Sequence, residues 1–153
     1  MSTKDRAQIE ARLDAAAEVC AGNGAQLTEL RRSVLDLILQ ADGALTAYRL
    51  LDRLQETRKG AVPPTIYRAL DFLLKQGLIH RVERLNAFVP CSDAGQHRHV
   101  AQFLICSACG TVAEIEDHAV AQALARAAAR AGFHPGNAVV EIDGTCAACA
   151  RSA

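Results

Sequence analysis

Apolar residues follow two successive rhythms along this chain. In the first half they recur every three or four positions, the period of a helix with one buried face. That rhythm predicts four helices. One runs from about Asp5 to Ala21 and is closed by Gly22-Asn23-Gly24. The second opens at Thr28, a residue suited to capping a helix N-terminus, and continues to about Gln40. Its Leu30, Val34, Leu37 and Ile38 fall at i, i+4, i+7 and i+8, and Asp42-Gly43 ends it. The third starts at the cap Thr46 and runs to about Thr57, with Leu50, Leu51 and Leu54 inward. The fourth begins at Pro63-Pro64, where proline suits the first helical turn, and stops at Gly77.

The period then shortens. Leu78 to Glu83 and Ala87 to Cys91 read as two strands joined around Asn86. The polar stretch Ser92 to Gln96 is the expected boundary, giving domains 1–91 and 92–153. Beyond it a strand ends at Cys106, a second covers Thr111 to Ile115, and a helix spans about Asp117 to Ala131. A last strand covers Ala138 to Ile142, and Cys146-Ala-Ala-Cys149 closes the chain. The expected class is α+β. Three helices followed by a hairpin form a winged helix-turn-helix, here with one extra helix in front, and a small α/β domain follows.

Composition changes this picture in two ways. Hydrophobic residues make up 50% of the chain but aromatic ones only 4%, with no Trp, so the core must be Leu, Ile, Val and Ala. A second domain this short buries a modest share of its surface and needs a staple or a partner. The N-terminus is polar, without the apolar core of a signal sequence, and no run is long enough to span a bilayer. A cytoplasmic protein with reduced thiols is expected, and its six cysteines then read as metal ligands rather than disulfides.

Net charge is zero, but it is unevenly spread. Between Arg49 and Arg84 eight basic residues face four acidic ones, whereas from Cys91 onward four arginines face six acids. A basic segment beside an acidic one fits a DNA-reading part joined to a part with another task; solvated helix faces are the plainer alternative. The fourth helix sharpens the choice. Ile66, Ala69, Leu70, Leu73 and Leu74 make one apolar stripe, and Arg68, Asp71 and Lys75 point away from it. A helix pinned by its back can enter a major groove, where Arg68 would fork onto the O6 and N7 of guanine. Thr65 and Tyr67 flank that face where hydroxyls and helix amides meet phosphates. Tyr67 fits the edge of a core equally well, and Tyr48, which opens the third helix, suits DNA contact or packing.

Cys106-Ser-Ala-Cys109-Gly and Cys146-Ala-Ala-Cys149 form a pair of CxxC motifs. Two intervening residues let both sulfurs of a knuckle reach one ion, and two knuckles complete a tetrahedral thiolate site for zinc. Such a site would staple the chain end to the middle of the second domain. A catalytic dithiol is the alternative, although neither motif sits at a thioredoxin-like strand-to-helix turn. His80, Cys91, His99 and Glu114 are scattered. A metal held by all four would join the two domains, bind more weakly than the knuckle pair, and act as a switch. A thiolate among nitrogen and oxygen ligands favours zinc over manganese or ferrous iron. Cys20 reads as a packed core thiol.

The run Pro63-Pro-Thr-Ile-Tyr-Arg-Ala-Leu-Asp-Phe-Leu73, then Gly77-Leu-Ile-His80, then Cys106-Ser-Ala-Cys-Gly110, resembles the ferric uptake regulator family. The resemblance covers nearly the whole chain. It is closest to the zinc-uptake-regulating branch, on Ala44-Leu-Thr-Ala-Tyr48-Arg-Leu-Leu51 and on Cys91. It implies a homodimer that pairs through the second domain and binds palindromic operator DNA when zinc is bound, repressing zinc-uptake genes. It also implies about two zinc ions per chain. Cys106, Cys109, Cys146 and Cys149 match the structural site, His80, Cys91, His99 and Glu114 the regulatory site, and Tyr48 and Arg68 the family's DNA contacts. The dense histidine run of many members is here only His97-Arg-His99, so His97, His118 and His134 read as solvated. Three rival readings stay open: a sensor of iron, manganese or peroxide in the same family, a CxxC thiol oxidoreductase, and a zinc-stapled adaptor that binds only protein.

Overall fold

The computed structural model of the chain describes residues 6–94, 100–136 and 138–152. It divides into two compact units, Met1–His97 and Arg98–Ala153. In the first, α1 (Arg6–Gly22), α2 (Glu29–Gln40), β1 (Leu45–Thr46), α3 (Ala47–Thr57) and α4 (Pro63–Lys75) lead into the hairpin β2 (Ile79–Val82) and β3 (Ala87–Pro90). This is a winged helix with one helix in front. The helix boundaries follow from local chemistry. The Thr28 hydroxyl accepts from the Arg31 amide at 3.5 Å, and that of Thr46 from the Arg49 amide at 3.3 Å. At the start of α4 the Thr65 hydroxyl turns back to accept from the Val62 amide at 3.3 Å. At its end Gly77 takes φ +69°, open to a residue without Cβ. Its amide then reaches Leu74 and that of Leu78 reaches Leu73, each at 3.0 Å, satisfying the last carbonyls of the helix.

The apolar stripes meet in one core. Val34 and Ile38 of α2, Leu50 and Leu54 of α3, and Ile66, Leu70 and Leu73 of α4 are all buried, with Leu13 of α1. Leu51 and Leu74, expected inward, are only partly buried against it. The wing departs from expectation at two points. The strand from Leu78 ends at Val82, because Glu83–Leu85 turn into a short 3-10 helix that carries the chain to Asn86 at φ 45°. A third strand, β1, pairs antiparallel with β3 through Leu45↔Phe88 and Thr46↔Ala87, giving the order β1-β3-β2.

The second unit holds β4 (Ala101–Cys106), β5 (Val112–Ile115), α5 (His118–Arg130), β6 (Val139–Gly144) and a terminal α6 (Ala147–Arg151). The sheet order is β5-β4-β6, with β4 antiparallel to β5 and parallel to β6. Asp117 caps α5 by accepting from the Ala119 and Val120 amides at 2.8 and 3.2 Å. Yet α5 has no fully buried residue within the chain.

Candidate metal centre and nucleic-acid interface

The parallel pairing of β4 with β6 is what assembles the cysteines. Its register ends at Cys106↔Gly144, so the first knuckle lies beside the strand end from which Cys146 follows two residues later. The Ser107 amide donates to the Gly144 carbonyl at 2.9 Å, and the Cys146 amide donates to the Cys106 sulfur at 3.3 Å. The first knuckle closes on itself: Gly110, at φ +75°, donates its amide to the Cys106 carbonyl at 2.9 Å. The sulfurs of Cys106, Cys109, Cys146 and Cys149 all lie within 4.8 Å of one another.

That spacing has a definite chemical meaning. The Cys109 and Cys146 sulfurs are 3.8 Å apart, far beyond a disulfide bond. A tetrahedron with metal–sulfur bonds of about 2.3 Å has edges of about 3.8 Å, so the Cys109–Cys146 pair matches such an edge, and the set of four converging thiols suits zinc in type. Protonation pulls the cluster in opposite directions. The Cys146 amide, with those of Cys109 and Ala108, lowers Cys106 to about 6. Cys109 is lowered too, first by its hydrogen bond to the Thr111 hydroxyl at 3.1 Å. Cys149, by contrast, is pushed up to about 12 by the sulfurs of Cys146 and Cys109. Thiolates form readily on one knuckle, and the last thiol keeps its proton unless a dication balances the charge. A lowered Cys106 alone would suit a catalytic dithiol; a set of four converging sulfurs does not.

The wing carries two further donors. His80 of β2 is half-buried, Cys91 just beyond β3 is fully buried, and their ligand atoms lie within 4.8 Å of each other. Glu114 lies on β5 of the second unit, half-buried and opposite Phe103 in the β4–β5 ladder. His99 and His97 fall outside the described residues, and His118 and His134 are exposed.

On α4, Arg68 is exposed and Tyr67 is 56% exposed, while Ile66 and Ala69 beside them are buried. Tyr48, at the start of α3, is 74% exposed, which removes packing as its explanation. Thr65 is spoken for in part, since its oxygen caps α4. An open cleft of about 460 Å³ between the first turns of α2 and α4 is lined by Thr28, Arg31, Val62, Pro64, Thr65 and Arg68, with no acidic side chain. Arg31, which the sequence did not single out, stacks on Phe72 at 3.6 Å and hydrogen bonds the Gln26 carbonyl at 2.8 Å.

A winged helix followed by a sheet with four clustered cysteines is matched by more than geometry. The sequence profile of the ferric uptake regulator family covers residues 22–143. The chain belongs to that family. A zinc uptake regulation protein of Escherichia coli (strain K12) is 44% identical over 134 residues, 88% of this chain and 78% of that protein. A zinc uptake regulation protein of Mycobacterium tuberculosis (strain ATCC 25618 / H37Rv) is 29% identical over 129 residues, covering 82% of this chain and 95% of that protein. A solved zinc uptake regulator complexed with zinc and DNA superposes with a TM-score of 0.89 at 42% identity, over 94% of this chain and 96% of that one. Within this family member, Thr111 and the Cys146 amide are the parts of the cysteine site that sequence reading missed. Thr111 directly follows the first knuckle and its glycine, and that adjacency was the one available signal.

Proposed function

We propose that this protein is a zinc-responsive transcriptional regulator, mainly a repressor, that binds palindromic operator DNA as a homodimer and controls zinc uptake and homeostasis. The observation that carries the reading is the conjunction of an exposed Arg68–Tyr67 face on a core-pinned α4 with a four-sulfur cluster suited to zinc in the same chain. The family membership and the zinc- and DNA-bound relative support it.

The roles follow from the chemistry of each residue. Residues 1–91 form the DNA-binding domain and 92–153 the zinc-binding dimerisation domain. Arg68 reads a base edge, and Tyr48, Thr65 and Tyr67 anchor the helix to the backbone. Cys106, Cys109, Cys146 and Cys149 hold a structural zinc, and His80, Cys91, His99 and Glu114 hold a regulatory one, so the chain takes about two ions. Zinc, when bound, supplies a dication that neutralises the thiolates and draws its ligands into one polyhedron. Homodimer formation is supported by α5, a 13-residue helix with no fully buried residue, and by the exposed Leu104, Leu124, Val139 and Ile142 of the same unit. Two copies present two α4 helices to successive major grooves, roughly 34 Å apart. The reading contains no catalytic step. No helix among the described residues is long and apolar enough to cross a membrane, and a cytoplasmic location follows from DNA as partner.

Fluorescence anisotropy of labelled palindromic DNA against buffered free zinc tests this. DNA affinity is expected to rise with trace free zinc and not with iron or manganese at cellular levels. A response to iron or manganese instead would make it a sibling sensor, and indifference to every metal would remove the sensing function.

A further inference from the structure

Cys91 lies one residue past the β2–β3 ladder, whose last pair is Ile79↔Pro90. Both of its backbone polar groups are nevertheless held. Its amide donates to the Leu78 carbonyl at 3.0 Å. Its carbonyl accepts from Nη2 of Arg12 on α1 at 2.8 Å, across 79 residues of sequence. The two bonds fix the peptide planes on either side of a buried thiol that sits within 4.8 Å of a His80 ring nitrogen. Arg12 itself is carried on a braced helix. Ile9, Leu13, Ala16 and Cys20 of α1 enter the core, and Arg32 of α2 pairs with Glu10 and Asp14 of α1 at 2.8 Å each. The corner at Cys91 is thus tied to the helical core as well as to the end of a short ladder. Helix α1 precedes nearly all of the span shared with the family profile, which begins at residue 22.

We propose that Arg12 is a positioning residue for the Cys91 metal ligand: its hydrogen bond to the Cys91 carbonyl fixes the backbone from which the thiol projects and thereby sets the metal affinity of that site. The inference rests on Cys91 being a ligand of the regulatory zinc. Its physical basis is that a ligand held only by its own side-chain torsion pays for its orientation when the ion arrives, whereas one fixed by surrounding hydrogen bonds has lost that freedom on folding. The Arg12 bond matters here because beyond Pro90 the ladder supplies only the amide bond to Leu78, and the Cys91 carbonyl is held by Arg12 instead.

The test uses the full chain with its structural site zinc-loaded, and cobalt(II) as the probe of the second site. Cobalt bound by a thiolate gives a charge-transfer band, and zinc affinity follows from its displacement of cobalt. Cys91→Ser is expected to abolish the band. Arg12→Met is expected to keep it while weakening cobalt and zinc binding about tenfold, with structural zinc content and melting temperature near those of the parent. Arg12→Lys, which retains a cationic donor, is expected to recover part of the loss. Parent-like affinity in Arg12→Met, with or without a lower melting temperature, overturns the role of Arg12 and leaves Cys91 as a ligand. Arg12→Lys no better than Arg12→Met places the effect in packing and overturns it as well. A band that survives Cys91→Ser overturns the ligand assignment itself.

Discussion

In the first unit Leu13, Ile38, Leu54 and Leu70 sit at 1% exposure or less within a single apolar cluster drawn from all four helices and the wing. In the second, among the described residues, only Ala101, Phe103, Ile105, Cys106 and Gln102 are buried, and all five lie on β4. The first unit can be held by hydrophobic burial. The second has one buried strand, a helix with no fully buried residue and four clustered sulfurs, so its stability is expected to rest on metal coordination and on a second copy. Loss of metal should therefore act on the two units very differently.

The sharpest way to break that contrast is Cys106→Ser. With one thiolate gone the β4–β6 end loses its staple, and a structural zinc site contributes on the order of 10 kcal/mol. The variant is expected to lose one zinc per chain and the ordered signals of the second unit while the helical unit still melts cooperatively. Parent-like zinc content and melting would show that the sulfurs are not a staple. Leu70→Ala should do the reverse, costing about 2–5 kcal/mol in the first unit by leaving a cavity, with zinc content unchanged. Denaturant titration with metal analysis checks both.

Which parts of this contrast could be read from sequence depends on how local the signal is. Caps and prolines mark α2, α3 and α4 because the Thr28 and Thr46 hydroxyls accept from amides three residues on, and Pro63 has the backbone φ of a first helical turn. The CxxC knuckles are legible for the same reason. Strand β1 was not expected, since two residues in front of a helix cap have no period, and their partners Ala87 and Phe88 lie some forty positions away. The helix after Cys146 is too short for a periodic pattern. That the two knuckles meet depends on the parallel register Cys106↔Gly144, a tertiary fact that the spacing alone leaves undetermined. His80 and Cys91, scattered in sequence, have no spacing that groups them, so at that level only the family resemblance supports their pairing, and Arg12 left no trace because its partner is a backbone carbonyl.

Smaller effects sharpen the account of the first unit. Arg68→Ala should cost about 1–3 kcal/mol of operator binding and relax preference at one base pair, measured by competition with single-base operator variants. A uniform loss across sequences would make Arg68 a phosphate contact instead. Thr46→Ala removes a helix cap and should cost about 1 kcal/mol in stability while leaving zinc content unchanged. Thermal melting is sufficient to detect it.

If the four clustered sulfurs hold the fold while Cys91 serves the switch, Cys91→Ser separates the two roles. Operator anisotropy would be followed across buffered free zinc for the parent and the variant, with bound zinc counted in each. The variant is expected to stay folded and dimeric, to keep one tightly held zinc per chain, and no longer to gain DNA affinity as free zinc rises. A variant that still switches at the parent's zinc level, or that loses its tightly held zinc and unfolds, would contradict it.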